Sequence, residues 1–313
     1  PNKEKVNMDL RLLLIFIVSH SFVSSKKCFT NGIGKSISNS INQSYRHVIL
    51  MHGILAGPTE MDCMQKFIAK AHPGTNVTVI KMYDRLSSLD SMWTQVGNIT
   101  AKIKPIMKEN PEGVHMICFS QGGLICRAII QSVPDHNVVN FIGLSSPLAG
   151  QYGDTNYLKY LFPRALKETL YEILYSNFGQ RFSIGNYWND PYHQPLFKKF
   201  SNFLAILNND TAHPKSQEYK NNFLMIKNLV LIGGPDDGVI TPWQSSQFGF
   251  FQDHDEHTVI NTKYTKWYHT DSFGLQTLDK RGSLHTYSIP GVKHITWHDN
   301  STVFDCCIKQ WLT

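Results

Sequence analysis

Long apolar runs are scarce in this chain. The segment from Leu12 to Val18 is too short for a bilayer, and no later stretch reaches the ~18 residues that a membrane-spanning helix needs. A membrane span is therefore not expected. Charge is sparse as well: Asp, Glu, Lys and Arg make up 17 % of the 313 residues, and the formal net charge is +6. No block of Lys or Arg gathers that excess into a patch, which argues against a nucleic-acid partner and leaves only transient contact with an anionic membrane surface open. The 14 histidines include no His-Glu-x-x-His spacing, so no metal and no metal cofactor is expected. Internal repeats and low-complexity tracts are missing too. What remains, with 42 % hydrophobic residues, is a globular composition.

The N-terminal pattern is that of a secretory leader. Arg11 precedes the run Leu12–Val18, and Val23 and Ser25 satisfy the small-residue rule before a cleavage site. The expectation is upstream residues and a signal peptide over 1–25, starting at Met8, then an unstructured Ser/Asn/Gly-rich lead-in over 26–45. Asn-x-Ser/Thr triplets at Asn42, Asn76, Asn98, Asn209 and Asn300 fit a glycoprotein of the secretory pathway. In such an oxidising compartment the six cysteines, Cys28, Cys63, Cys118, Cys126, Cys306 and Cys307, are available for disulfides.

From residue 46 onward, short apolar runs alternate with helical patterns. His47–Met51, Val77–Met82, Val114–Phe119, Val138–Leu144, Leu229–Ile232 and His285–Ile289 read as buried strands. Met92, Val96, Ile99, Ile103 and Ile106 recur at helical steps, with Pro105 expected to kink or end the last turn. Gly122–Val133 reads as a buried helix and Thr302–Leu312 as a closing one. This alternation predicts an α/β fold, a mostly parallel sheet flanked by helices, as one domain over 46–313. The aromatic-rich stretch of about 147–222 is too long for a loop and reads as an inserted helical cap. Most of its aromatics are expected to fill the cap's own interior.

Chemistry concentrates at Cys118-Phe119-Ser120-Gln121-Gly122-Gly123. A strand runs straight into a serine, and two glycines open a helix. An α/β-hydrolase nucleophile sits on such a turn, which is tight enough to require small flanking residues. Gly122 meets that requirement after Ser120; before it stands Cys118, small but not glycine. The turn exposes the Ser120 hydroxyl and places the Gln121 backbone N–H at a helix N-terminus, suited to a developing oxyanion. His52-Gly53-Ile54 closes the first strand, where this fold supplies a second oxyanion N–H, assigned to Ile54. His52 itself reads as a buried, hydrogen-bonded histidine. A serine hydroxyl needs a base, and the fold's order is Ser, then acid, then His. Asp236 or Asp237 in the run Gly233–Gly238 suits the acid, and His294 or His298 the base; spacing alone separates neither pair.

With these residues in place, the chain resembles the palmitoyl-protein thioesterase family from about Arg46 to the C-terminus. The resemblance rests on His72-Pro73-Gly74-Thr75, the segment Cys118–Gly123, Gln151-Tyr152-Gly153-Asp154-Thr155, the long run Gly233–Ser246, Asp271-Ser272-Phe273-Gly274-Leu275 and Trp311-Leu312. It implies a glycosylated lysosomal enzyme that hydrolyses long-chain acyl thioesters, including acyl-CoA, without a cofactor; secretion is the other destination open to a chain of the secretory pathway. It also implies a triad of Ser120, Asp237 and His294, and a disulfide between Cys118 and Cys126. The family's cap disulfide has no counterpart, since no cysteine lies between Cys126 and Cys306. The remaining four cysteines get no pairing from the resemblance, and the oligomeric state is not legible. A lipase or carboxylesterase acting on oxygen esters would use the same triad. An inactive hydrolase fold that binds lipid is the rival of a different class.

Overall fold

The computed structural model describes Cys28, residues 45–153 and residues 169–313. The expected signal peptide, nearly all of the lead-in with Asn42, and the cap residues Tyr157, Tyr160, Leu161 and Phe162 lie outside the described residues.

Among the described residues, six strands form one parallel sheet. In chain order they are β1 (His47–Met51), β2 (Val77–Val79), β3 (Val114–Phe119), β4 (Val138–Leu144), β5 (Asn228–Gly233) and, last in the chain, β8 (Leu284–Ser288). Their spatial order is β2-β1-β3-β4-β5-β8. The inner strands are nearly continuous apolar runs because both of their faces are covered, whereas β2 at one edge is only half-buried and β8 at the other is polar at His285, Thr286 and Ser288. Alternate residues serve opposite layers. Ile49, Met51, Met116, Cys118 and Phe141 pack with the helices Met92–Glu109 and Gln121–Ser132. Val48, Leu50, Ile117, Phe119 and Ile142 pack with the helix Asp62–Ala71 and the C-terminal segment.

Register brings the C-terminal ends of the strands to one edge: Met51 lies opposite Cys118, Phe119 opposite Leu144, and Gly233 opposite Ser288. The loops leaving β1, β3, β4, β5 and β8 therefore meet there, where open α/β sheets hold their ligands.

Several expectations need correction. The strand expected over Val77–Met82 stops at Val79. The helix from Met92 runs through Pro105 to Glu109, so proline does not end it there; its buried stripe finishes on Met107, with Ile106 only half-buried. The closing segment is helical without a break from Ser301 to Trp311, as expected, but changes winding along its length, from α over Ser301–Val303 to π over Phe304–Ile308 and 3-10 over Lys309–Trp311. A hairpin that the apolar pattern did not reveal, β6 (Phe250–Gln252) with β7 (Asp255–Ile260), stands between β5 and β8. It carries Asp255, Glu256 and His257 and stays outside the main sheet, so it has no continuous buried run to betray it.

Between β4 and β5 the described residues form short helices over Leu170–Leu174, Ser183–Tyr187, Gln194–Phe200, Leu204–Leu207 and Ser216–Phe223. Tyr175, Tyr187, Trp188 and Phe203 are buried within this insertion, while Phe200 is exposed. Among the described residues no helix is long and apolar enough to cross a membrane.

The cysteines pair as Cys28–Cys63, Cys118–Cys126 and Cys306–Cys307. The second pair follows from the layering: Cys118 points to the face along which the helix Gln121–Ser132 runs back, so Cys126 returns to within 6.5 Å between Cα atoms. Cys28, outside the sheet, reaches the helix Asp62–Ala71 at Cys63.

Candidate active site

Ser120 follows β3 with φ 53° and ψ −129°, a region that non-glycine residues occupy only when their surroundings force it. Two contacts do so here. Its N–H donates to the Leu144 carbonyl at 3.0 Å, and its own carbonyl accepts from Gly123 N–H at 3.0 Å. The following glycines are required by space: a Cβ on Gly122 would lie 2.4 Å from the His52 carbonyl oxygen, and one on Gly123 would lie 2.0 Å from Ser146 Oγ. Cys118 is accommodated in the buried disulfide layer.

His294 stands on the turn after β8 and is buried. Its Nε2 lies 3.0 Å from Ser120 Oγ, and its Nδ1 lies 2.9 Å from Asp237 Oδ2. The backbone joins the same two residues, with His294 N–H donating to the Asp237 carbonyl at 2.9 Å. Asp237, on the loop leaving β5, is only 3 % exposed and is satisfied on both oxygens. Oδ1 accepts the N–H groups of Val239 and Ile240 at 3.0 and 2.7 Å. Oδ2 accepts Ser145 Oγ–H at 2.5 Å and the Trp297 indole N–H at 2.7 Å. Burial alone would raise the Asp237 pKa. The adjoining His294, with donors from His294, Ser145 and Ile240, outweighs that cost and holds the carboxylate down to about 2.

Ser145 and Trp297 were not singled out as site residues by sequence. Ser145 sits 92 positions from Asp237 and gives no local signal. Trp297 gave a weak one, since a buried indole N–H needs an acceptor.

The depressed Asp237 pKa has a consequence for acid stability. The group's folded pKa lies below its ordinary value near ~3.9, so the stabilisation is present above that value and is lost as pH falls through about 2. Asp237→Asn is expected to be about 2 kcal/mol less stable than wild type near neutral pH, with the gap closing between pH ~4 and ~2. Urea unfolding midpoints measured across that range check it; a gap independent of pH would mean the carboxylate charge contributes nothing.

The rival residues take other places. Asp236 is exposed, and its Oδ2 accepts the Gly291 N–H at 2.7 Å, pinning the turn before His294. His298, although it lies two residues before the Asn300 triplet, is 1 % exposed: its ring meets Phe119 edge-on at 4.8 Å, and its Nε2 faces Glu60 Oε1 at 3.5 Å. The Asn300 side chain instead accepts the N–H groups of Thr302 and Val303 and starts the next helical turn.

The loop after β1 presses against Ser120, since a Cβ on Gly53 would lie 3.0 Å from Ser120 Cβ. Most of its polar groups are engaged. His52 is buried, with Nδ1 2.9 Å from the Gly53 carbonyl and Nε2 3.0 Å from the Met82 carbonyl. Gly53 N–H donates to Glu60 at 3.0 Å and Leu55 N–H to Ser88 Oγ at 2.7 Å. Among the described residues neither Ile54 N–H nor Gln121 N–H has an acceptor.

A parallel sheet that delivers a serine at a strand–helix turn, then an aspartate, then a histidine to one edge is the arrangement of an α/β-hydrolase. Comparison with known proteins narrows this. The chain belongs to the palmitoyl protein thioesterase family, whose model matches residues 47–294. It is 49 % identical over 270 residues to the lysosomal thioesterase PPT2 of Rattus norvegicus, covering 86 % of this chain and 89 % of that one. The lysosomal thioesterase PPT2 of Homo sapiens is 48 % identical with the same coverage. The lysosomal thioesterase PPT2 homolog of Drosophila melanogaster is 41 % identical over 275 residues, covering 88 % of this chain and 94 % of that one. Among solved structures, the Bacillus licheniformis lipase BlEst2 covers 89 % of this chain and is itself covered over 96 %, with a TM-score of 0.49 and 14 % identity.

Proposed function

We propose that this protein is a lysosomal serine thioesterase that hydrolyses long-chain fatty acyl thioesters, acyl-CoA or S-acylated substrates, through an acyl-enzyme on Ser120. The observation that carries the reading is the hydrogen-bonded line Ser120–His294–Asp237, in a chain of this family. His294 takes the Ser120 proton as Oγ attacks the thioester carbonyl. Asp237 holds the imidazole with Nδ1–H toward the carboxylate, leaving Nε2 to accept. Negative charge then develops on the former carbonyl oxygen, which the N–H groups of Gln121 and Ile54 are free to receive. Collapse expels the thiol, which takes the proton from His294. Water, deprotonated by the same histidine, releases the fatty acid. No step draws on a cofactor.

On this reading the acyl chain lies against the aromatic-rich insertion over about 147–222, which follows β4, the strand paired with that of Ser120. Asn76, Asn98 and Asn209 are exposed and are the described sites best placed for glycans, whereas Asn300 is half-buried.

A chain-length series tests the reading. Each methylene buried is worth roughly 0.8 kcal/mol, about fourfold in kcat/KM. From C4 to C16 acyl-CoA, kcat/KM is expected to climb steeply before levelling. A flat response removes that placement of the acyl chain. Faster turnover of palmitoyl oxygen esters than of palmitoyl thioesters at matched concentration would make the protein an esterase.

A further inference from the structure

Glu60 and His298 have no part in the reaction as drawn, yet both stand beside its machinery. Glu60 lies in the turn Pro58–Met61, which packs against the turn His294–Asp299. Its side chain is 15 % exposed and spans the two. Oε2 accepts the Gly53 N–H at 3.0 Å, and Oε1 faces His298 Nε2 at 3.5 Å. His298 cannot turn away freely, because it is almost fully buried against Phe119, whose ring also packs on His294 at 4.9 Å.

The position of Gly53 gives this contact its meaning. Gly53 N–H belongs to the peptide unit immediately before the one that carries Ile54 N–H. Glu60 anchors the first unit, and the His52 ring anchors the second through the Gly53 carbonyl. Ile54 N–H is left as the unengaged donor of the run, on a loop in contact with Ser120. Glycine at 53 adds no side chain that could hold this backbone, and its own N–H is held from outside the loop, by Glu60.

We propose that Glu60, held by His298, is a positioning residue that ties the oxyanion loop at Gly53–Ile54 to the turn carrying His294. The carboxylate keeps the oxyanion donor and the base in register. Such an effect is realised only when the tetrahedral oxyanion forms, because a donor aimed at that position does little for the ground-state thioester. The inference rests on the proposed roles of Ser120 and Ile54.

The test compares wild type with Glu60→Met, similar in length but without an oxygen acceptor, and Glu60→Gln, which keeps one. Three quantities are read: kcat and KM on palmitoyl-CoA, the affinity of a long-chain alkyl trifluoromethyl ketone, and the affinity of an alkyl-CoA thioether that lacks the carbonyl. In the ketone complex Ser120 Oγ bonds to the carbonyl carbon, the C=O π bond opens to an oxyanion, and the serine proton passes to His294. Glu60→Met is expected to lower kcat about tenfold with KM little changed, and to weaken the ketone by the same factor as kcat/KM. Thioether affinity should stay within twofold, and Glu60→Gln should recover most of the loss. If Glu60→Met does not fold by circular dichroism, Glu60→Asp, one methylene short of Gly53, is read in its place with the same expectation. The inference is overturned if the folded variant keeps kcat and ketone affinity within twofold of wild type, or if the thioether weakens as much as the ketone. Failure of the underlying reading looks different: wild type itself would neither turn over palmitoyl-CoA nor bind the ketone.

Discussion

Ser120→Ala is expected to lose on the order of 10⁴–10⁶ in kcat on a long-chain acyl thioester while keeping its fold. The size follows from the arrangement around the hydroxyl. Without Oγ there is no atom to form the acyl-enzyme, and His294 Nε2, now 3.0 Å from nothing that can attack, has only water to activate. The remaining rate would come from the N–H groups of Ile54 and Gln121 and from binding of the chain. The fold should tolerate the change. Ser120 is held by its backbone bonds to Leu144 and Gly123, not by its side chain, and alanine at φ 53° is strained no more than serine. Steady-state turnover with circular dichroism and thermal unfolding checks both halves. A folded variant that retains a tenth of the wild-type rate would remove Ser120 from the role of nucleophile. A fluorophosphonate probe should label wild type and leave the variant unmarked.

His294→Ala should match that loss, on the order of 10⁴–10⁶, whereas His298→Ala should cost no more than about tenfold. Both rings rest on Phe119, with centroids 4.9 and 4.8 Å away, so proximity to the serine's strand does not separate them. Their polar partners do. His294 links Ser120 on one nitrogen with Asp237 on the other. His298 Nε2 faces Glu60, and its Nδ1 is buried with no hydrogen-bond partner among the described residues, so it has no line to the hydroxyl. Assay of the two variants on one thioester, with folding checked, decides between them. An inactive, folded His298→Ala beside an active His294→Ala would reverse the assignment.

The parts legible in sequence were those whose cause is local. β1, β3, β4 and β5 announce themselves because a strand covered on both faces must be apolar throughout. The turn at Ser120 is legible for the same kind of reason: its glycines stand where any side chain would strike the His52 carbonyl or Ser146. The polar hairpin β6–β7 lacked that cause and went unseen. Asp236 and Asp237 are neighbours on one loop with identical chemistry. Which one turns inward depends on the path of that loop, and the buried one is the one that finds Val239, Ile240, Ser145 and Trp297 as donors. The triplet at Asn300 suggested an exposed surface around His298, but exposure varies from residue to residue along a helical turn, and His298 falls on its inner side.

By itself the sequence determined the α/β class, the serine at the strand end, the order serine–acid–histidine, and the family, because apolar periodicity, steric demand at glycine and motif order are all written along the chain. Spacing left the aspartate and the histidine as pairs and the family resemblance pointed to Asp237 and His294; the tertiary structure is what brings His294 to Ser120 and Asp237 to His294. It also paired Cys28 with Cys63, supplied Ser145 and Trp297 to the carboxylate, and set Glu60 between the oxyanion loop and His298. The reason is physical. Hydrogen bonds and disulfides form only within a few ångströms, and the parallel register of the strands is what brings residues as far apart as 120 and 294 to one edge of the sheet.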